Sequence, residues 1–399
     1  MSEPSASDRR SPTPDDVRRA LAGVRDPELH VSIVDLGMVD DVLVEDGRVR
    51  VRVALTTAGC PLRTRIRDDV ESKVRGMPGI TDVAVEYGEM TAAQKSAAMQ
   101  RARWQAREQA DPTEVPASTR VLAVASGKGG VGKSSVTVNL AVALAARGFQ
   151  VGVLDADIWG FSVPSMLGVE GRLGGADGKI HPNERLVTNR LDASAPPGRL
   201  KVVSMGFLVD DEQTALMWRG LILTRAVEQF LHDVHWGEMD YLLIDMPPGT
   251  GDVQMGLARM LPQTELLVVT TPARAAQRVA ARIVDMAQRS YLKVLGVVEN
   301  MSAFVAPDGT AYPLFGEGGG AALAEASGAP LVAKIPLESG LAAGGDTGHP
   351  VAEDEPDSPA GAAFHALAAR LATDLLPPVE MAGCTARIFD LVNAARPSV

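Results

Sequence analysis

Cysteine is nearly absent from this chain of 399 residues, which contains only Cys60 and Cys384. Two thiols so far apart in sequence do not make a disulfide framework, and such sparing use is typical of a reducing compartment. Long apolar runs are missing too, since no stretch reaches the roughly 18 residues that a membrane-spanning helix needs. The polar start, rich in serine and proline, lacks the apolar segment of a secretory signal. We therefore expect a cytoplasmic protein that does not enter a membrane.

Aromatic residues and positive charge are also scarce. Aromatics make up 4% of the chain, so aliphatic side chains must fill the core, and 46% of the residues are hydrophobic. The chain has 39 basic and 50 acidic residues, for a formal net charge of −11. Nucleic-acid-binding proteins usually present a basic face, so we expect no nucleic-acid partner. The composition is that of a globular protein, and the length allows two or three domains.

The pattern of the chain changes near residue 119. Before it, two alternating runs flank the turn signal Asp46-Gly47 and predict a β-hairpin in a small α+β domain. After it, apolar strands alternate with helical segments, which predicts an α/β domain whose mostly parallel sheet is covered by helices on both faces. The predicted organisation is a disordered tail (1–13), the α+β domain (14–90), a helical and proline-containing linker (91–118), the α/β domain (119–378) and a C-terminal tail (379–399).

A phosphate-binding motif opens the α/β domain. Residues 127–134 read GKGGVGKS between a strand and a helix, which satisfies the pattern G-x-x-x-x-G-K-[ST]. Glycines let main-chain N–H groups surround phosphate oxygens at a helix N-terminus, where Lys133 would reach the β- and γ-phosphates and Ser134 would bind Mg²⁺. The predicted ATP contacts are Gly127, Lys128, Gly129, Gly130, Val131, Gly132, Lys133, Ser134 and Ser135.

The same segment also fits a dinucleotide-binding loop, G-x-G-x-x-G, with Asp155 near the place of a ribose-binding acid. That alternative predicts an oxidoreductase. It gives no role to Lys133 and Ser134, and it leaves a second acidic motif unexplained, so we favour the ATP site.

Three aspartates follow buried strands. Asp155 and Asp157 end the second strand of the α/β domain, where ligand-binding loops of such sheets lie. Asp245 ends the apolar run YLLI and precedes a stiff Pro-Pro-Gly turn, residues 247–249, that is suited to sensing the γ-phosphate. We expect Asp245, Asp155 and Ser134 to hold Mg²⁺.

Lys128, directly after the first glycine of the motif, resembles the signature lysine of the deviant Walker A ATPases, the group of MinD, ParA and the nitrogenase iron protein. This resemblance implies that Lys128 contacts phosphate across a nucleotide-sandwich homodimer. It also implies that Asp157 orients or deprotonates the attacking water, so that Lys128, Lys133 and Asp157 are the catalytic residues. Asn300 stands in the place of the adenine-reading amide, with Pro336 nearby against the base.

The motifs SGKGGVGKSSVTVNLA, LDADIWGFSVPSMLG, LIDMPPGTGD, VENMS and FGEGGG together resemble the Mrp/ApbC family over about residues 120–375. The N-terminal segments DPELHVSIVDLGMV and LTTAGCPLRTRI resemble the SufT- and PaaD-like iron–sulfur assembly domain, with Cys60 on its characteristic cysteine. The resemblance implies slow ATP hydrolysis by a homodimer. It also implies that the protein binds iron–sulfur clusters and delivers them to apoproteins, with assembly factors as further partners.

The chain departs from that family at its cluster ligands. Ala306 and Gly309 stand where the usual C-x-x-C pair should be, which leaves Cys60 and Cys384 as the only thiols. Cys60, at a turn that opens a predicted helix, is the better candidate for a reactive thiol. Two alternatives to cluster transfer stay open: a scaffold that uses ATP without a cluster, and a MinD/ParA-like spatial switch. The second would need a basic amphipathic C-terminal helix, which the end of the chain does not resemble.

Overall fold

A computed structural model of the chain divides into two compact units, Met1–Gln109 and Ala110–Val399. The residues that the structure describes are 12–27, 31–55, 63–110, 112–157, 160–176, 178–192, 194–208, 220–249, 252–289, 292–306 and 308–379. Within these ranges, no helix combines the length and the apolar character needed to cross a membrane.

The N-terminal unit is a three-stranded sheet with helices. Its elements are α1 (Pro14–Leu21), β1 (Val39–Glu45), β2 (Arg48–Leu55), α2 (Arg63–Arg75), β3 (Asp82–Glu89) and α3 (Ala92–Gln109). β1 and β2 are antiparallel, and β2 and β3 are parallel. Asp46 and Gly47 both have positive φ, 47° and 78°, as the predicted two-residue hairpin turn requires. The hairpin is confirmed.

Helix α3 falls within the segment that the sequence predicts to be the start of a linker. Its Ala98 and Ala102 are buried in the same hydrophobic core as Val51 and Val70 of the small unit. Residues 92–109 therefore extend the N-terminal unit, and the boundary between the units follows Gln109. Alanines with polar neighbours do not reveal from sequence whether a helix packs on a core or bridges two domains.

The larger unit alternates strands and helices. Its elements are β4 (Arg120–Ala125), α4 (Lys133–Ala145), β5 (Gln150–Asp155), α5 (Val163–Met166), β6 (Gly174–Ala176), β7 (Lys179–His181), β8 (Asn183–Val187), β9 (Gly198–Ser204), α6 (Gly220–Asp233), β10 (Tyr241–Asp245), α7 (Asp252–Met260), β11 (Glu265–Thr270), α8 (Arg274–Arg289), β12 (Lys293–Val305), β13 (Ala311–Tyr312), α9 (Gly319–Ser327), β14 (Leu331–Leu337), α10 (Ser339–Thr347), α11 (Val351–Asp354) and α12 (Pro359–Arg370).

In the described residues, nine of these strands form one sheet in the order β13-β12-β11-β4-β10-β5-β9-β8, and β14 also pairs with β12. Only β8 and β13 pair antiparallel to their neighbours, so the sheet is mostly parallel. β8, β9 and β13 were not expected from the sequence. β8 and β13 lie at the margin of the sheet and expose part of their length, so they lack the continuous apolar run of a buried strand.

The central strands face two hydrophobic cores. In β4, Leu122 and Val124 belong to one core, which packs against α4 and α12, whereas Val121 and Ala123 belong to the other, which packs against α6, α7 and α8. Alternate residues of a strand point to opposite faces of a sheet, so helices cover both faces. The predicted α/β fold is confirmed. In parallel sheets of this kind, ligands bind at the carboxyl ends of the strands.

Candidate functional site

The loop between β4 and α4 carries the glycine-rich motif, and two of its glycines are required by close contacts. A side chain on Gly127 would collide with the main chain of Val279 in α8. Gly132 has φ 80° and caps the N-terminus of α4, and a side chain there would collide with the amide of Asn300. Few residues other than glycine adopt this left-handed backbone. The loop therefore packs against Val279 of α8 and Asn300 of β12, and it leads directly into the N-terminus of α4.

A buried ion pair joins this loop to β10. The Lys133 ammonium lies 2.7 Å from Oδ1 of Asp245, and their side chains are 7% and 1% exposed. Ser134 Oγ donates to Asp245 Oδ2 at 2.6 Å, and Thr137 Oγ1 donates to Asp245 Oδ1 at 2.9 Å. The structure therefore brings together three groups that the sequence predicted and adds Thr137. Its spacing of one helical turn from Lys133 is the signal that could have revealed it.

Asp155 lies at the end of β5, beside β10, and is 1% exposed. Its carboxylate accepts hydrogen bonds from the main-chain N–H groups of Asp157, Ser162 and Val163 and from the Ser204 hydroxyl. Burial, and next the charge of Asp245, raise the pKa of the Asp155 carboxyl above its usual range, although the hydrogen bonds from Asp157 and Val163 and the charge of Lys133 oppose the shift. Two neighbouring buried carboxylates beside a serine hydroxyl are a suitable set of oxygen ligands for Mg²⁺.

Lys128 and Asp157 lie at the periphery of this cluster. The Lys128 side chain is exposed, and its carbonyl accepts a hydrogen bond from the Ser126 hydroxyl at 3.2 Å. Asp157, in the loop after β5, is partly exposed, and its Oδ1 accepts the N–H of Gly160 at 3.3 Å. Both side chains are thus accessible to a ligand bound at the phosphate loop.

A cavity of about 470 Å³ adjoins the loop, which is a usual size for a small-molecule site. Asn300 lies at its wall and donates from Nδ2 to the Val131 carbonyl at 2.9 Å. Leu337 and Glu338 line the cavity, whereas Pro336 precedes them and does not. The cavity is lined by Gly132, Ser135, Ser162, Ser165, Met166, Asn300, Met301, Leu337, Glu338, Leu341, Ala342, Gly345 and Asp346.

Met301 is a cavity residue that the sequence did not predict. Its φ of 54° is unusual for a residue with a side chain. It directly follows Asn300 at the point where the pairing of β12 with β14 becomes irregular. Strained backbone of this kind is concentrated at ligand sites. No local sequence pattern marks it, because the strain arises from pairing between distant strands.

The positions of the missing cysteine pair lie in the turn between β12 and β13. The Gly309 N–H donates to the Ala306 carbonyl at 2.8 Å, and Gly309 has φ 82°. Cys60 and Cys384 both lie outside the described residues. Within the part of the chain that the structure describes, no group of three or more His, Cys, Asp and Glu side chains is placed to hold a metal ion.

Both units of the chain match known protein families. The family model of the NUBPL iron-transfer P-loop NTPases matches residues 117–372, and that of the iron–sulfur cluster assembly proteins matches residues 14–87. An iron–sulfur cluster carrier protein of Mycobacterium bovis is 45% identical over 365 residues, covering 90% of this chain and 92% of that protein. Its namesake in Bacillus subtilis is 38% identical over 327 residues, covering 81% and 88%.

Among solved structures, the chain is similar to an ADP-bound nucleotide-binding protein of Archaeoglobus fulgidus. The two are 38% identical, with a TM-score of 0.48, over 57% of this chain and 86% of that one. The family models together match most of the length of both units. The chain therefore belongs to the family of NUBPL iron-transfer P-loop NTPases, and it carries the family's nucleotide-binding loop behind an N-terminal iron–sulfur cluster assembly domain.

Proposed function

We propose that this protein binds and hydrolyses ATP with Mg²⁺ and, as a homodimer, uses that cycle to transfer iron–sulfur clusters to apoproteins. The buried group of Lys133, Ser134 and Thr137 around Asp245 carries the nucleotide part of the proposal. The cluster part is supported by the two family models and by relatives that are named iron–sulfur cluster carrier proteins.

The phosphate loop supplies the binding energy in this proposal. Main-chain N–H groups of residues 127–134 and the N-terminus of α4 hold the phosphates, and Lys133 neutralises their charge. Ser134, Asp245 and Asp155 would hold Mg²⁺, and the ion would supply positive charge opposite the phosphates. The carboxylate pair matches a divalent cation, because the like charges that disfavour ionisation of Asp155 would then be compensated.

The nucleoside occupies the cavity beside Asn300. Ser135 lines this cavity next to the phosphate loop, and Met301, Leu337 and Leu341 provide apolar contact for a base. In the hydrolytic step, water attacks the γ-phosphorus and the bond to the ADP oxygen breaks. Asp157 orients that water and takes its proton, and the exposed Lys128 reaches the phosphates bound by the partner subunit.

The homodimer switch is tested by Lys128→Ala. We expect ATP affinity to change by less than about threefold, because Lys128 lies outside the buried cluster around Asp245, while ATP-dependent dimerisation weakens at least about tenfold. Light scattering with ATP measures the dimer, and nucleotide titration measures affinity. Lys293→Ala, which removes another exposed lysine that pairs with Glu265, is the control and should dimerise normally. Equal dimerisation by all three proteins would contradict the switch.

Cluster binding is tested by anaerobic reconstitution with iron and sulfide. If a cluster is bound, its thiolates must come from Cys60, Cys384 or both, because the chain has no others. We expect the wild type to retain iron, Cys60→Ser to lose most of it, and both to hydrolyse ATP at similar rates. Bound iron per dimer is the measurement, and Cys384→Ser is the matched control.

The absence of cysteine at positions 306 and 309 favours a second candidate function. A scaffold that uses ATP to dock assembly partners needs no thiol. Complementation of a strain that lacks the gene separates the two functions. Full rescue by the Cys60→Ser, Cys384→Ser double variant would favour the scaffold, and loss of rescue would favour cluster transfer.

A further inference from the structure

Gln254, in the first turn of α7, is a buried polar residue to which the proposed mechanism gives no role. Its side chain is 1% exposed. Its Nε2 donates to the carbonyl of Gly249 at 2.7 Å, and Gly249 belongs to the turn that follows Asp245. Its Oε1 is buried and finds no hydrogen-bond donor among the described residues. A buried polar atom without a partner is costly and is rarely retained without a reason.

Hydrogen bonds continue from Gly249 into the phosphate loop. The Gly249 N–H donates to the Ser126 carbonyl at 3.0 Å, and the Ser126 hydroxyl donates to the Lys128 carbonyl at 3.2 Å. Gly249 has φ 96°, a conformation that glycine adopts readily, so its N–H and its carbonyl, which belong to adjacent peptide groups, can face two different elements. A continuous chain therefore runs from Gln254 through Gly249 and Ser126 to Lys128.

Helix capping alone does not account for this arrangement. A glutamine at the third position of a helix usually caps by accepting a main-chain N–H with its side-chain oxygen. Gln254 instead uses its amide nitrogen as a donor to Gly249, and its oxygen has no partner in the described part of the chain. The bond restrains the peptide that lies between the Mg²⁺-binding carboxylate and the loop of Lys128.

We propose that Gln254 is a positioning residue of the ATPase, which holds the Gly249 carbonyl and thereby couples the turn after Asp245 to the main chain of the phosphate loop at Lys128. The hydrogen bond of its side chain goes to the main chain. Its effect reaches the reaction through the orientation of Gly249 and of the phosphate loop. This inference rests on the proposed ATPase activity and assigns that site an additional residue.

The test is Gln254→Met in the full-length protein, which keeps the length of the side chain and removes both polar atoms. We expect kcat for ATP hydrolysis to fall at least about tenfold, KM for ATP to change less than about twofold, and Tm to change by less than about 2 °C. Gln254→Glu, which also lacks the amide donor, should show the same kcat and KM pattern. Thr264→Val is the matched control, because the buried Thr264 hydroxyl also has no partner among the residues described, but Thr264 directly precedes β11, at the opposite end of the strands.

A double-mutant cycle tests the coupling itself. If the chain acts as one unit, the effects of Gln254→Met and Lys128→Ala on kcat will not multiply, whereas those of Thr264→Val and Lys128→Ala will. Unchanged kcat in both Gln254 variants, a fall in kcat that is fully explained by lost folded protein, or multiplicative effects in the first cycle would overturn the proposal. A wild type without ATPase activity would instead contradict the proposed function.

Discussion

Replacing Lys133 with alanine is expected to abolish nucleotide binding and to destabilise the larger unit. The Lys133 side chain is only 7% exposed and pairs with Asp245, and in the proposed function its charge neutralises the phosphates. ATP at about 100 times its Kd should stabilise the wild type by about 2.7 kcal/mol, and the variant should lose most of this gain. In the variant without ATP, the buried Asp245 carboxylate has lost its partner cation. We expect the free energy of unfolding to fall by about 3 kcal/mol, since removal of one partner of a buried ion pair is strongly destabilising.

Thermal unfolding with and without Mg-ATP separates the two effects. Lys201→Ala is the control, because Lys201 is also partly buried and donates to the carbonyls of Trp236 and Glu238, away from the phosphate loop. It should lower Tm yet keep the ATP-induced shift. A full shift in Lys133→Ala would contradict the assigned role. A larger shift with NADH than with ATP in the wild type would revive the dinucleotide alternative.

The cluster of Lys133 and Ser134 around Asp245 was predictable because its sequence signals are local. Gly127–Ser134 is a contiguous motif, and Asp245 follows an apolar run that predicts a buried strand. Parallel strands align their carboxyl ends, so two distant segments meet without any long-range information. The Lys133–Asp245 pair follows from those two rules. Thr137 was missed although its helical spacing from Lys133 places it on the same face of α4.

The cavity wall was less predictable because it depends on tertiary pairing. Leu341 and Ala342 come from α10, whose sequence SGLAAGGDT is too rich in glycine to predict a helix. The left-handed backbone of Met301 arises where β12 and β14 lose their register. The side chains of Gln254 and Ser126 donate to main-chain carbonyls, and residue type does not reveal which carbonyl lies within reach. Sequence therefore identified the residues that meet around Asp245 better than those that surround or restrain them.

Asp157→Ala is expected to lower kcat for ATP hydrolysis by about 100-fold, in the range of a lost general base. ATP affinity should stay the same or increase slightly, because the carboxylate lies outside the phosphate loop and its removal lessens repulsion of the phosphates. Single-turnover hydrolysis and nucleotide titration measure the two effects. The structure also offers a competing role, since Asp157 Oδ1 accepts the Gly160 N–H and so supports its own loop.

Asp157→Asn distinguishes the two roles. Asparagine keeps a side-chain oxygen that can accept the Gly160 N–H, but it cannot take a proton from water. If Asp157 acts on the water, the alanine and asparagine variants should both be slow. If it only supports the loop, asparagine should restore most of the rate, which would contradict a catalytic role. Asp192→Ala is the matched control, because Asp192 makes the same kind of turn bond, accepting the Ser194 N–H at 2.9 Å. Normal hydrolysis by that variant would show that loss of a turn bond does not by itself slow the reaction.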